Sequence, residues 1–250
     1  MNNFRLDVGA GGIFSKFIFV IQNLNEINSD FESVYVNNID DRSLIGDDNI
    51  FDLILDQTKD ETLPVMVCAH LGNYSKFSPI ESSSKLQEYK KIVKKIKFSE
   101  KIIDKLNEYL NKYKINENYL AVHIRLCDMN IYHSSEYGVV NYEDFLKHIR
   151  EEKKEGMKIF LSSDNYESIE KLKNEFGDDI VYIDEFLRGN SETEDTLGLQ
   201  LSNFKNVRLW EEAFIEMLLL SKCGTLICRT SNLNNVSIIY SETIKKIIRL

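Results

Sequence analysis

Tyr119-Leu120-Ala121-Val122-His123-Ile124-Arg125-Leu126-Cys127-Asp128 is an apolar run that gives way to an arginine and an aspartate, with a histidine near its end. The apolar part, Tyr119 to Ile124, is short, rich in Leu, Val and Ile, and bounded by polar residues, so it predicts a buried strand. Ligands of open α/β sheets bind in the crevice beyond the carboxyl ends of the strands. An arginine held there can fork onto a phosphate through two parallel charge-assisted hydrogen bonds, which a lysine cannot copy. The same stretch also fits a strand that ends in a surface ion pair, and alone it leaves both readings open.

Working outward, Phe4 to Val8 predicts a first strand, and Gly9-Ala10-Gly11-Gly12 follows it. Ile13 to Ile27 then shows helical periodicity through Phe14, Phe17, Ile18, Ile21, Leu24 and Ile27. Strand, glycine loop and helix together bring backbone N–H groups to an anion. The loop carries neither GxGxxG nor GxxxxGK[ST], so a tight turn without a ligand fits equally well. Val34–Val36 and Val65–Ala69 are further strands, with a helical turn at Phe51–Leu55. Ser84 to Tyr113 predicts two helices broken near Phe98-Ser99, with Ser99 as N-cap.

Beyond Tyr119 the alternation is regular. Helices are expected at Tyr142–Lys153, Tyr166–Phe176, Leu209–Lys222 and Asn232–Tyr240. Strands are expected at Lys158–Ser162, Ile180–Ile183 and Thr225–Cys228, and Arg188 to Asn206 reads as a polar loop. Alternating strands and helices predict an α/β fold whose parallel sheets are covered on both faces. Two α/β halves are expected, with the hinge in the Lys97 to Asn118 helices. With two prolines in the chain there is no Pro-rich linker, so the halves should be tightly joined.

The chain has 250 residues, 43% of them apolar, enough for a packed core in one large domain or two small ones. Its formal charge of −9 argues against a general nucleic-acid binder, which needs a basic surface. A basic run at Lys90, Lys91, Lys94, Lys95, Lys97 and Lys101 reads as a solvated helix face. The longest apolar patches, Phe17–Ile21 and Ile215–Leu220, are far too short to span a bilayer, and no signal peptide is visible. Cys68, Cys127, Cys223 and Cys228 match no zinc spacing. A cytoplasmic protein without an integral membrane span is expected.

Four strand-end features fall in order down the chain: the glycine turn Gly9–Gly12, His123/Arg125/Asp128, Ser162-Ser163-Asp164-Asn165, and Arg229-Thr230-Ser231-Asn232. In a parallel sheet such ends share one edge and can line one cleft. Ser163 or Ser231 taken singly is more often a helix cap. Four ends in sequence order favour a nucleotide-type site.

Here the chain resembles a family. His123-Ile124-Arg125-Leu126-Cys127-Asp128 looks like the HxRRxD motif of the inverting fucosyltransferases, the α-1,2, α-1,6 and protein O-fucosyltransferase group. Gly11-Gly12-Ile13-Phe14-Ser15-Lys16-Phe17 resembles their glycine-rich start, with Ser15 and Lys16 where the pattern has Asn-Gln. Phe160 to Asn165 is similar to their second motif, and Glu216 to Asn232 to their third. The matches run from Gly9 to Ser241. Leu126 replaces the second arginine of the motif.

The resemblance implies a compact GT-B-like fold of two Rossmann-type halves. Residues 1–98 would be the acceptor side and 99–250 the side that binds GDP-fucose or another nucleotide sugar. It makes Arg125 the partner of the β-phosphate, with Asp128 orienting that arginine and His123 at the nucleotide. Gly11 and Gly12 would approach the donor. Asp164 would meet guanine or ribose beside Ser163, Thr230 and Ser231 would hold the diphosphate, and Glu216 would support their turn. The implied activity transfers fucose from GDP-fucose to a glycan hydroxyl.

Expelling a nucleoside diphosphate requires positive charge at the β-phosphate, and Arg125 with backbone N–H groups can supply it. A metal-dependent transferase would usually show Asp-x-Asp, and no two of the 17 aspartates are two residues apart. No metal site and no cofactor are therefore expected. The acceptor hydroxyl needs a base, for which His133 and Glu136 are candidates, although both also read as exposed loop residues. A nucleotide-binding protein that lost turnover is the alternative. An oxidoreductase of Rossmann type is disfavoured by the missing GxGxxG.

Overall fold

A computed structural model of the chain describes residues 2–8, 12–27, 31–38, 49–57, 59–60, 63, 65–69, 79–126, 138–189 and 207–250. Strands β1 (Asn2–Val8), β2 (Phe31–Asn38) and β3 (Val65–Ala69) form a parallel sheet in the order β2-β1-β3. Helix α1 (Ile13–Ile27) links β1 to β2, and the short α2 (Ile50–Ile54) follows β2. Helices α3 (Leu86–Val93) and α4 (Glu100–Tyr113) lead to the second sheet.

That sheet comprises β4 (Leu120–Ile124), β5 (Ile159–Ser163), β6 (Ile180–Val181), β7 (Thr225–Cys228) and β8 (Lys246–Arg249). All pairs are parallel and the order is β6-β5-β4-β7-β8. Helices α5 (Tyr142–Glu152), α6 (Tyr166–Phe176), α7 (Val207–Leu220) and α8 (Asn232–Tyr240) connect these strands. The mixed α/β class with parallel sheets is as the alternation predicts.

Every residue of β4 and β5 is buried, as a parallel sheet covered on both faces requires. Their side chains alternate between two cores. Leu120, Val122, Ile124, Ile159 and Leu161 join the core of α5 and α6, while Ala121 and Phe160 face the core of α7 and α8. His123 pairs with Ser162 in register on the second of these faces. Leu126 extends the first face and is 3% exposed. Its position is therefore part of the α5 core, which accounts for a leucine in place of an arginine.

The two sheets share one continuous core rather than a wet cleft. Phe98 lies 6.0 Å from Phe214 and 5.4 Å from Tyr240, and Phe17 lies 5.3 Å from Phe214 in an edge-to-face contact. Helix α8 is buried at eight of its nine residues because it packs among helices α1, α3 and α7 and the turn at Ile80–Ser82. Polar ties reinforce this junction: Asn232 Nδ2 donates to Ser15 Oγ at 2.8 Å, and Arg249 forks onto Glu81. The two sheets are thus joined by side-chain packing.

Some local details differ from expectation: β6 ends at Val181 rather than Ile183, and α7 starts and ends two residues before the expected bounds. Ser99 is the N-cap residue of α4, as expected, but its hydroxyl donates to the Leu53 carbonyl at 2.9 Å and makes no capping bond to the helix. β8 was not expected, because only two apolar residues, Ile247 and Ile248, stand between Lys246 and Arg249, a pattern an edge strand tolerates. Gly224 has no freedom to be anything else, since a Cβ there would stand 2.2 Å from the Glu117 carbonyl oxygen. No described helix is long and apolar enough to cross a membrane.

Candidate active site

In the second sheet the chain winds outward from β4 through β5 to β6, then returns by α7 to β7 on the other side of β4. The strand order reverses between β4 and β7, and in such sheets that switch point opens a crevice at the carboxyl ends. His123 and Arg125 at the end of β4, with Ser163 and Asp164 at the end of β5, line one pocket of about 120 Å³. The chain's single tryptophan, Trp210, faces them from α7, and Phe186, Leu187 and Leu233 complete an apolar wall.

Two carboxylates enter this pocket from successive turns of α7, and both are engaged. Glu216 accepts from Ser162 Oγ at 2.8 Å and from Arg188 Nη2 at 3.0 Å. Burial pushes its carboxyl above the ordinary value, against the pull of the Arg188 charge and the Ser162 hydroxyl. Glu212 accepts from the Leu187 N–H at 2.8 Å and from Arg208 Nε at 2.6 Å. The pocket floor is thus polar but internally paired, leaving its apolar wall to meet a flat ring or a sugar face.

The remaining sequence candidates fall in several places. Ser163 Oγ accepts the Asn165 N–H at 3.3 Å, and Asn165, the cap of α6, donates its side-chain amide to Asp164 Oδ1 at 3.0 Å. Ser231 caps α8, its hydroxyl accepting the Asn234 N–H at 3.2 Å. Thr230 precedes it and is half-buried. Neither Thr230 nor Ser231 lines the pocket, although both follow β7 on the same sheet edge. Gly12 is exposed at the start of α1, where its carbonyl accepts from the Ser15 and Lys16 N–H groups at 2.9 and 3.1 Å. Lys16 is 1% exposed. Gly11, Asp128, His133 and Glu136 lie outside the described residues.

Solved structures of one enzyme share this architecture. NodZ α-1,6-fucosyltransferase co-crystallized with GDP matches with a TM-score of 0.61 at 12% identity, over 100% of this chain and 96% of that one. NodZ soaked with GDP-fucose matches with a TM-score of 0.57 at 11% identity, over 96% and 93% of the two chains. The selenomethionine form of NodZ from Bradyrhizobium gives 0.59 at 10% identity, over 100% and 95%. The fold is that of NodZ. At such identities the likeness is one of fold. No family model and no curated protein matches the sequence.

Sequence reasoning passed over Arg188, Trp210 and Glu212. A signal for part of this was present: Glu212 and Glu216 stand one turn apart in a helix that is mostly apolar, and buried carboxylates need partners. Arg188 opens a stretch that reads as loop, yet it is 8% exposed and supplies one of those partners.

Proposed function

We propose that the protein is a metal-independent glycosyltransferase that moves fucose from GDP-fucose to a glycan hydroxyl, with residues 99–250 binding the donor and 1–98 the acceptor. The observation that carries the reading is the convergence of Arg125, His123 and Asp164 on one pocket at the switch point of a NodZ-like sheet. Two of the neighbouring NodZ structures were obtained with GDP or GDP-fucose.

In the proposed reaction the acceptor oxygen attacks the anomeric carbon while the bond from that carbon to the β-phosphate oxygen breaks. GDP leaves with the bonding pair, and the acceptor proton passes to a base, for which Glu136 and His133 are the candidates. Arg125 meets the charge that grows on the β-phosphate, Asp128 orients it, and His123 stands at the nucleotide. Asp164 receives donors from guanine or ribose beside Ser163. Thr230, Ser231 and the Gly11-Gly12 turn offer hydroxyl and N–H groups to the diphosphate.

The test is thermal unfolding against a nucleotide panel, followed by GDP release from GDP-fucose with glycan acceptors. GDP at 100 times its dissociation constant should stabilise the fold by about 2.7 kcal/mol. A larger shift with a dinucleotide than with GDP would count against the reading. A binding protein without turnover is favoured by one feature, the buried Leu126. It predicts the same thermal shift but no GDP release.

A further inference from the structure

Building on the nucleotide reading of the pocket, we propose that Arg188 is its positioning residue. Arg188 pins the strap of residues 182–189 across the end of β5, so that the Phe186–Leu187 wall and the Asp164 turn stand ready before a ligand arrives.

The Arg188 side chain is 1% exposed, and its guanidinium is used on three sides. Nε donates to the Ser163 carbonyl at 3.0 Å. Nη1 donates to the Ile183 and Phe186 carbonyls at 2.7 and 3.0 Å. Nη2 donates to Glu216 Oε1 at 3.0 Å. One planar group therefore joins the strap to itself, to the last residue of β5 and to α7.

The main chain on either side completes the clamp. The Gly189 N–H donates to the Asp164 carbonyl and the Tyr166 N–H to the Gly189 carbonyl, each at 2.9 Å. The Leu187 N–H is held by Glu212. Of the groups fixed in this way, Ser163, Asp164, Phe186, Leu187, Glu212 and Glu216 all line the pocket.

A buried ion pair is a poor device for stability alone, because apolar residues of similar volume commonly serve as well. What a guanidinium adds is fixed direction: a rigid fork that orients several acceptors at once. The acceptors here are the rim of the pocket. Lysine keeps the charge but concentrates its donors on one atom, so it cannot span from Ser163 to Phe186 to Glu216.

Trp210 fluorescence reports GDP binding in the full chain. Arg188→Lys should raise the GDP dissociation constant at least tenfold in protein that remains folded by circular dichroism. Arg249→Lys loosens another forked arginine pair, at the sheet's edge strand, and should leave GDP affinity within twofold while lowering Tm. Folded Arg188→Lys protein that binds GDP within twofold of wild type overturns the proposal.

Hydrogen exchange on the wild-type chain decides the matter if the variant does not fold. The Leu187 and Gly189 amides should exchange as slowly as those of β5 without ligand, and change less than threefold when GDP is added. Unprotected exchange at both amides until GDP is added overturns the proposal. Absence of any GDP response in wild-type protein is a different failure, which removes the nucleotide reading and the role of Arg188 with it.

Discussion

Ser162 Oγ donates to Glu216 Oε2 at 2.8 Å, so a carboxylate ties the end of β5 to α7 while its other oxygen holds Arg188. Truncating that carboxylate and neutralising it should have different consequences. Glu216→Ala leaves the Arg188 guanidinium buried without its counter-charge, a change that costs about 3–5 kcal/mol in comparable pairs. Glu216→Gln also removes the charge, but it keeps a carbonyl oxygen for Arg188 Nη2 and an amide that can donate to the Ser162 hydroxyl, so it should cost less. Urea unfolding of the two variants checks the order. Equal losses would show that the lost charge accounts for the whole effect and that the hydrogen bonds add nothing.

The Arg249–Glu81 fork ties β8 to the turn that precedes α3, and it should give the junction a pH dependence. Burial works to raise the Glu81 carboxyl, but the forked hydrogen bond and charge of Arg249 prevail and hold it below the ordinary 4.5. A carboxylate depressed in the folded state stabilises above its unfolded pKa and loses that contribution as pH falls through the folded value. Melting temperature should therefore fall with acidification below about pH 4.5, and Glu81→Gln should flatten that part of the curve. An identical acid limb in wild type and variant would refute the assignment.

How far these features were legible in the sequence follows from their physics. β4, β5 and β7 are short apolar runs with polar ends, and period and punctuation together place them well. β8 escaped because an edge strand can carry Lys246 and Arg249 where a central strand cannot. The pocket's strand-end residues were legible for the same reason as the strands. Trp210 and Arg188 were not, because their role depends on α7 folding back across β4 and on a strap without periodicity. The aromatic junction of Phe17, Phe98, Phe214 and Tyr240 brings together residues far apart in the chain, which only the fold can do.

Arg125→Lys separates a phosphate-binding arginine from a structural one. Lysine retains the charge and loses the planar fork. If Arg125 meets the departing β-phosphate, the loss is largest in the transition state, where the negative charge has grown. One preorganised donor is commonly worth about 10²–10³ in turnover. The measurement is kcat and donor KM for GDP-fucose, with folding checked by Tm. A folded variant with kcat within threefold of wild type would return Arg125 to the role of a strand-end ion pair.

Leu126→Arg restores the second arginine of the fucosyltransferase-like motif, and it should not restore function. The position is 3% exposed and belongs to the core that contains Val140, Phe145 and Leu146. An arginine placed there brings a charge into an apolar site with no partner in that core, a change at the severe end for a single substitution, roughly 4–5 kcal/mol or more. The variant should therefore unfold at markedly lower temperature or denaturant concentration, with no gain in GDP affinity. Wild-type Tm together with tighter GDP binding would show that this position opens toward the nucleotide, and packing would no longer account for the leucine.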